Sequence, residues 1–249
     1  MGMKTLKESL LDDFGSQTKD LKRLQIEEWL EKNNIEVNSK FIINKDYTID
    51  IDEFIYRGNG NFPEYIQFNI CKFIFRIVDS GMTSLRGCPR ICHDFNCSFN
   101  ELTTLKGGPV EVSGIFNCAN NKLTSLEGCP KKFGFRFDCR FNRLTSLEGA
   151  PKKVDGNFDC ASNHLTTLKG SPKYIKGNFA CDRNFLISLE GGPNEVEGNY
   201  DCSENSNLTS LKGAPKRVGG EFACLDTSLS MEAKHQAEEN IDCKRICWQ

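Results

Sequence analysis

Thiols are the most abundant reactive side chains in this chain, with 13 cysteines against three histidines in 249 residues. Such a count can mean a disulfide scaffold, a zinc site or a redox relay. Seven of them form one series, Cys97, Cys118, Cys139, Cys160, Cys181, Cys202 and Cys224, with steps of 21 or 22 residues. A straight column of thiols cannot surround zinc tetrahedrally, and seven parallel thiols cannot all pair. The series therefore reads as a small buried apolar position inside a repeat. Cys88, Cys92 and Cys129 lie off the series with no assigned partner. Cys243 and Cys247 are four apart, as on one helix face, with His235 upstream; this is a weak zinc signal, and no metal or cofactor is expected. His93, His164 and His235 hold unrelated positions. No Gly-x-Ser-x-Gly elbow, Walker loop or His-Glu-x-x-His is present, so an enzyme is not expected.

What must position these residues is a repeat. The phrase Leu102-Thr103-Thr104-Leu105-Lys106-Gly107-Gly108-Pro109 returns at Leu123, Leu144, Leu165, Leu186 and Leu208, with a weaker copy at Met82. Between the copies lies Phe-x-Cys-x-x-Asn, as in Phe158-Asp159-Cys160-Ala161-Ser162-Asn163. The combined phrase matches the core of a leucine-rich repeat, with Phe and Cys in two leucine slots. Phe95, Phe116, Phe137, Phe158, Phe179, Tyr200 and Phe222 make one column, which extends back to Phe75 and Phe54. About nine rungs result, spanning residues 47–228, the first two divergent. The alternation around Phe158 and Cys160 predicts a short strand with one face buried. The asparagines Asn59, Asn100, Asn121, Asn142, Asn163, Asn184 and Asn205 end each strand and can bond backbone groups left open by the turn. Twenty-one residues cannot hold a strand and a full helix, so the return leg should be extended or a short 3₁₀ turn. Gly177 allows a close backbone approach there.

The expected fold is a repeat solenoid of leucine-rich type with parallel strands on its concave face. Residues 1–46 form a helical N-terminal cap with a lead-in strand, and residues 229–249 a C-terminal cap. Leu6, Leu10 and Phe14, then Leu21, Leu24, Trp29 and Leu30, give two amphipathic segments. Phe41–Ile43 and Tyr47–Ile51 read as strands. Ser230 is placed to cap a short helix from Met231 to about Asn240, with Trp248 against it.

The formal net charge is −2, which argues against general binding of nucleic acid. Met1–Lys7 contains no signal-peptide core and no stretch reaches membrane-span length, so a cytoplasmic protein free of membranes is expected. Gly2 reads as a cloning remnant and Cys247 stands one place too late for prenylation. Residues beside the buried Phe and Cys should point from the sheet into solvent, where a repeat protein varies freely. They carry eight acids against three arginines. The candidate binding residues are Phe99, Asn120, Arg136, Asp138, Arg140, Phe141, Asp159, Asp182, Arg183, Asp201 and Glu204. Phe99 and Phe141, flanked by Arg136 and Arg140, are residue types that dominate interface energetics; stacking on neighbouring rungs is the competing reading. After each proline runs a basic edge, Arg90, Lys131, Lys132, Lys152, Lys153, Lys173, Lys216 and Arg217 against Glu111 and Glu195. It lacks interleaved aromatics, so nucleic acid is an unlikely partner.

The stretch Leu144 to Asn163, Leu-Thr-Ser-Leu-Glu-Gly-Ala-Pro-Lys-Lys-Val-Asp-Gly-Asn-Phe-Asp-Cys-Ala-Ser-Asn, resembles leucine-rich repeat proteins of large tailed bacteriophages and some gut bacteria. Met3–Leu10 resembles the opening of such phage proteins. A more distant likeness is to secreted bacterial effectors with a Leu-Pro-x-Leu-Pro phrase, some of them ubiquitin ligases. Here Glu-Gly-x-Pro replaces that phrase and about twenty residues follow the last rung, so ligase activity is not expected. The resemblance is specific for the repeat and carries no biochemistry; the missing catalytic motifs and the concave-face residues make a non-enzymatic, monomeric protein-binding module the expected function, acting on a host protein if the chain is viral. An inhibitor that occludes a host defence enzyme and a structural virion component are the alternatives.

Overall fold

The computed structural model describes residues 21–34 and 39–248. Helix α1 covers residues 21–33. The strands that follow are β1 (Phe41–Ile43), β2 (Ile49–Ile51), β3 (Phe54–Ile55), β4 (Phe68–Arg76) and β5 (Ile91–Asn96). From there each turn contributes two short strands. The first ladder contains β7 (Ile115–Asn117), β9 (Arg136–Asp138), β11 (Asn157–Asp159), β13 (Phe179–Ala180), β15 (Tyr200–Asp201) and β17 (Glu221–Ala223). The return strands are β6 (Glu111–Val112), β8 (Lys132–Phe133), β10 (Lys153–Val154), β12 (Tyr174–Ile175), β14 (Glu195–Val196) and β16 (Arg217–Val218); the last four form a separate sheet, and β6 and β8 join the first through β5. Helix α2 (Met231–Asn240) and β18 (Arg245–Cys247) complete the described chain. The result is a parallel-strand solenoid of about nine turns.

The register follows the repeat. Phe158 pairs with Phe137 on one side and Phe179 on the other. The return legs are extended two-residue strands, in parallel register from β6 to β8 and from β10 through β16. The sheet also runs past both ends of the repeats. β1 pairs antiparallel with β2, β2 pairs parallel with β4, and β18 pairs parallel with β17.

The core is a column of rings. Phe54, Phe75, Phe95, Phe116, Phe137, Phe158, Phe179, Tyr200 and Phe222 are buried, with successive centroids 5.0 to 6.0 Å apart. Trp29 of α1 adds a ring, stacked on Phe54 at 6.0 Å. Ile26 and Leu30 share its buried face, whereas Leu21 and Leu24, grouped with Trp29 and Leu30 as one amphipathic segment, are exposed. The helix turns its Ile26–Trp29–Leu30 side to the first turn, and this leaves the two leucines outward. Leu6, Leu10 and Phe14 lie outside the described residues.

The asparagines join turn to turn. Asn163 accepts the Leu144 N–H at 3.1 Å through Oδ1. Its Nδ2 donates to the carbonyls of Cys139 and Cys160, both at 3.1 Å. Asn121, Asn142, Asn184 and Asn205 repeat this pattern. Asn59 does not join them; it is exposed, and in the next turn buried Ser80 occupies the slot. The residue before each of Asn100 to Asn205 is left-handed, as is Asp226 before Thr227: Phe99, Asn120, Phe141, Ser162, Arg183, Glu204 and Asp226 have φ between 50° and 56°. For a residue with a Cβ this costs roughly 1 kcal/mol or more. At the other corner only glycine fits: a Cβ on Gly156 would stand 1.4 Å from the Phe135 carbonyl oxygen, and one on Gly177 2.2 Å from Asn157 Oδ1.

Asn163→Ala leaves three buried backbone groups without their partner, and should lower stability by about 1–3 kcal/mol or more. Ser162→Gly removes the left-handed penalty but adds unfolded-state entropy, and should change stability by less than about 1 kcal/mol. Urea midpoints of the two variants check this; equal midpoints would remove the ladder's role.

Candidate functional site

The thiols have structural explanations. Cys97 through Cys224 are buried along the core, and burial pushes Cys97 and its neighbours far above the usual thiol range. The off-series cysteines fill a second set of inward slots. Cys71 and Cys92 are register partners of each other, and Cys92 of Val112, on the return strands. Cys88 and Cys129 precede a proline, where other turns have Gly108, Ala150 or Ser171. Cys243 and Cys247 do not share a helix face: α2 ends at Asn240 and Cys247 lies in β18. Among the described residues no group of three or more metal-ligating side chains converges. His93 Nδ1 stands 2.8 Å from Ser113 Oγ, and its Nε2 lies 3.9 Å from Asp94 Oδ1. At 3.9 Å the imidazole is not hydrogen-bonded to that carboxylate, whose Oδ1 accepts the Ile115 N–H at 2.7 Å.

The side chains beside the core strands divide into two kinds. Some are required by the turn. The Oδ1 of Asn96, Asn117, Asp138, Asp159 and Asp201 accepts the N–H two residues on, which shapes the chain toward the left-handed residue. Asn157, Asn178 and Asn199 each accept an N–H from the following turn. Ser98, Ala119, Ala161 and Ser203, expected to face solvent, are buried. Asp138 is buried as well, its side chain only 2% exposed. Arg136 Nη2 reaches its Oδ2 at 2.9 Å and Arg140 Nε at 3.3 Å, and both arginines extend toward Asp159 at 3.8 and 3.7 Å. Two arginines fold over two carboxylates and pair the buried charge of Asp138, while the Nε of each arginine is buried without a hydrogen-bond partner among the described residues.

The other side chains exceed what the turn asks. Phe99 and Phe141 are 57% and 50% exposed and two turns apart, about 10 Å at the strand spacing. They occupy a left-handed position that Asn120, Ser162 and Glu204 fill with polar groups. Arg183 forms a two-pronged pair with Glu204, at 3.0 and 2.5 Å, and touches Asp182 at 3.2 Å. Burial, then the neighbouring Asp201, push the Asp182 carboxyl up to about 6. Burial, then Asp138, raise Asp159 too. The candidate residues thus form two groups, Arg136–Asp138–Arg140–Asp159 and Asp182–Arg183–Asp201–Glu204, with Phe141 beside the first. Sequence spacing placed all of them on one side of the sheet but missed the left-handed column and the burial of Asp138.

The basic edge lies on the return strands, and much of its charge is met within the fold. Lys132 pairs with Glu111 at 3.0 Å, Arg217 with Glu195 at 2.8 Å and Lys153 with Asp155 at 2.7 Å. Lys173 donates to the carbonyls of Gly191 and Gly192. No helix among the described residues is long and apolar enough to cross a membrane. Comparison with protein-family models, curated proteins and solved structures finds no match to this chain.

Two outcomes follow from these environments. With a disulfide reagent on the native protein, Cys243 and Cys247, both partly exposed, should react before the buried series, which should react fast only after unfolding. Rapid native reaction of most thiols would contradict the burial. Separately, the folded state holds an extra proton on Asp182 between its ordinary value of 3.8 and about 6, so its contribution to stability falls as pH rises through that window. Asp182→Asn should therefore raise the urea midpoint near pH 7, with the gain vanishing near pH 4. An equal effect at both values would show that the carboxylate charge is not the cause.

Proposed function

We propose that the chain is a non-enzymatic binding module of leucine-rich type, holding a protein partner on the outward face of its core-strand ladder. α1 and the segment α2–β18 close its two ends. The observation that carries the reading is Phe99 and Phe141: half-exposed aromatic rings in a left-handed conformation that favours glycine or asparagine. Water exposure and backbone strain both count against phenylalanine there, and the same slot is filled by polar residues in other turns. The fold has no use for these rings where they stand. Exposed aromatics beside arginine are what a partner's surface would cover. The phage-like repeat phrase makes a protein of a bacterial host the partner we propose, met in the host cytoplasm.

The test is a pull-down from host lysate followed by titration of the captured protein. Phe99→Ala and Phe141→Ala should each weaken binding by about 1–2 kcal/mol or more without lowering stability. Lys152→Ala with Lys153→Ala should leave it nearly intact, apart from a small salt-dependent loss. Essential lysines with silent phenylalanines would move the site to the basic edge.

A further inference from the structure

The outward face is electrically two-sided along the stack. In its first half Arg136 and Arg140 lie over Asp138 and Asp159, beside Phe141. In its second half stand Asp182, Asp201, Glu204 and Asp226, with Arg183 already paired to Glu204. The turns do not require this charge. Asn96 and Asn117 give the same N–H bond with a neutral amide that Asp201 gives with a carboxylate. Asp182 makes no such bond to the residue two on; its side chain is 13% exposed and faces Asp159 and Asp201 of the adjacent turns and Arg183 of its own. The fold thus holds carboxylates against one another where amides would serve, immediately beyond an exposed aromatic anchor.

We propose that the partner segment held on this face carries an apolar side chain for Phe141 and, a few residues on, a lysine or arginine whose charge is taken by Asp182 and Asp201. This names the chemistry of the partner and rests on the reading of the face given above. Two turns separate Phe141 from Asp182, about 10 Å, which three or four residues of extended chain span. A cation between Asp182 and Asp201 relieves their mutual repulsion, so charge that costs the free protein stability becomes favourable in the complex.

The experiment selects a random peptide library, displayed on filamentous phage, against the wild-type chain, with recovered peptides measured by fluorescence anisotropy. Asp182→Asn combined with Asp201→Asn removes both charges, while the amide introduced at position 201 keeps the turn's acceptor, as Asn96 and Asn117 do. Recovered peptides should carry Lys or Arg a few residues from an apolar side chain. Their affinity should fall about tenfold or more in the double variant. In the wild type it should also fall between about pH 7.5 and 5, as Asp182 takes up a proton; in the double variant it should be nearly flat. Neutral or acidic peptides that still need Phe141 would overturn the cation while leaving the face as the site. Peptides indifferent to Phe99→Ala, Phe141→Ala and the double Asn variant alike, or no recovered peptide at all, would overturn the face itself.

Discussion

A solenoid turn made of two- and three-residue strands leaves much of its backbone in corners, where turn-to-turn backbone bonds such as Phe141 N–H to the Ala161 carbonyl satisfy many groups but not the Leu144 N–H or the Cys139 and Cys160 carbonyls. Those corners are buried between neighbouring turns, so each orphan group would cost free energy comparable to a lost hydrogen bond. The asparagine amide resolves this. Through Oδ1 it takes an N–H of the preceding turn, and through Nδ2 it binds carbonyls of both turns. Only Asn offers a donor pair and an acceptor on so short a stem. With that bond in place each turn is tied to the one before it, and the two leucines that follow, such as Leu144 and Leu147, point inward.

The aromatic column and the thiols are consequences of that geometry. Stacked turns bring equivalent side chains to within one strand spacing, so a flat ring at one position meets a ring above and below. Cysteine beside it is small enough to sit under the asparagine, and its sulfur reaches carbonyls of the next turn at distances such as 3.4 Å for Cys118 and Cys139. The seven thiols of the series thus report a repeated packing slot, whereas Cys243 and Cys247 lie past the last turn and are partly exposed. At the first turn the column would end with Phe54 open to water, and Trp29 of α1 lies over it.

The outward face follows a different logic. Most of its polar residues serve the turns, including the asparagines that accept bonds from the following turn. What remains is a short set whose chemistry the fold tolerates at a cost: two strained phenylalanines and carboxylates pressed together. Residues that break a local rule without a structural return are where function is sought, and here they lie on one side of the ladder.

The repeat period, the buried columns, a return leg without a full helix and the asparagine ladder from Asn100 on were legible in the sequence, because each is periodic and local: one phrase recurs and one side-chain type has one task; whether the return leg was extended or a 3₁₀ turn was not. The spacing also carried the register back to Phe54 and Phe75 through divergent turns. It misplaced what depends on neighbours in space. Leu21 and Leu24 fit a helical stripe, yet the face of α1 that is buried is set by where Phe54 ends the column. Asp138 and Asp159 share the Phe-Asp-Cys phrase, and the deeper burial of Asp138 comes from Arg136 and Arg140, two residues to either side, folding back over it, a side-chain placement that spacing does not show. The left-handed residue looked like one more exposed position, since no side-chain pattern marks φ. Likewise the sequence put Glu111 and Glu195 within the basic edge but did not show that they pair with Lys132 and Arg217, or that Asp155 meets Lys153. Sequence determined which residues stack, because stacking follows the period; tertiary structure decided which charges and rings remain uncommitted, because that depends on partners from adjacent turns.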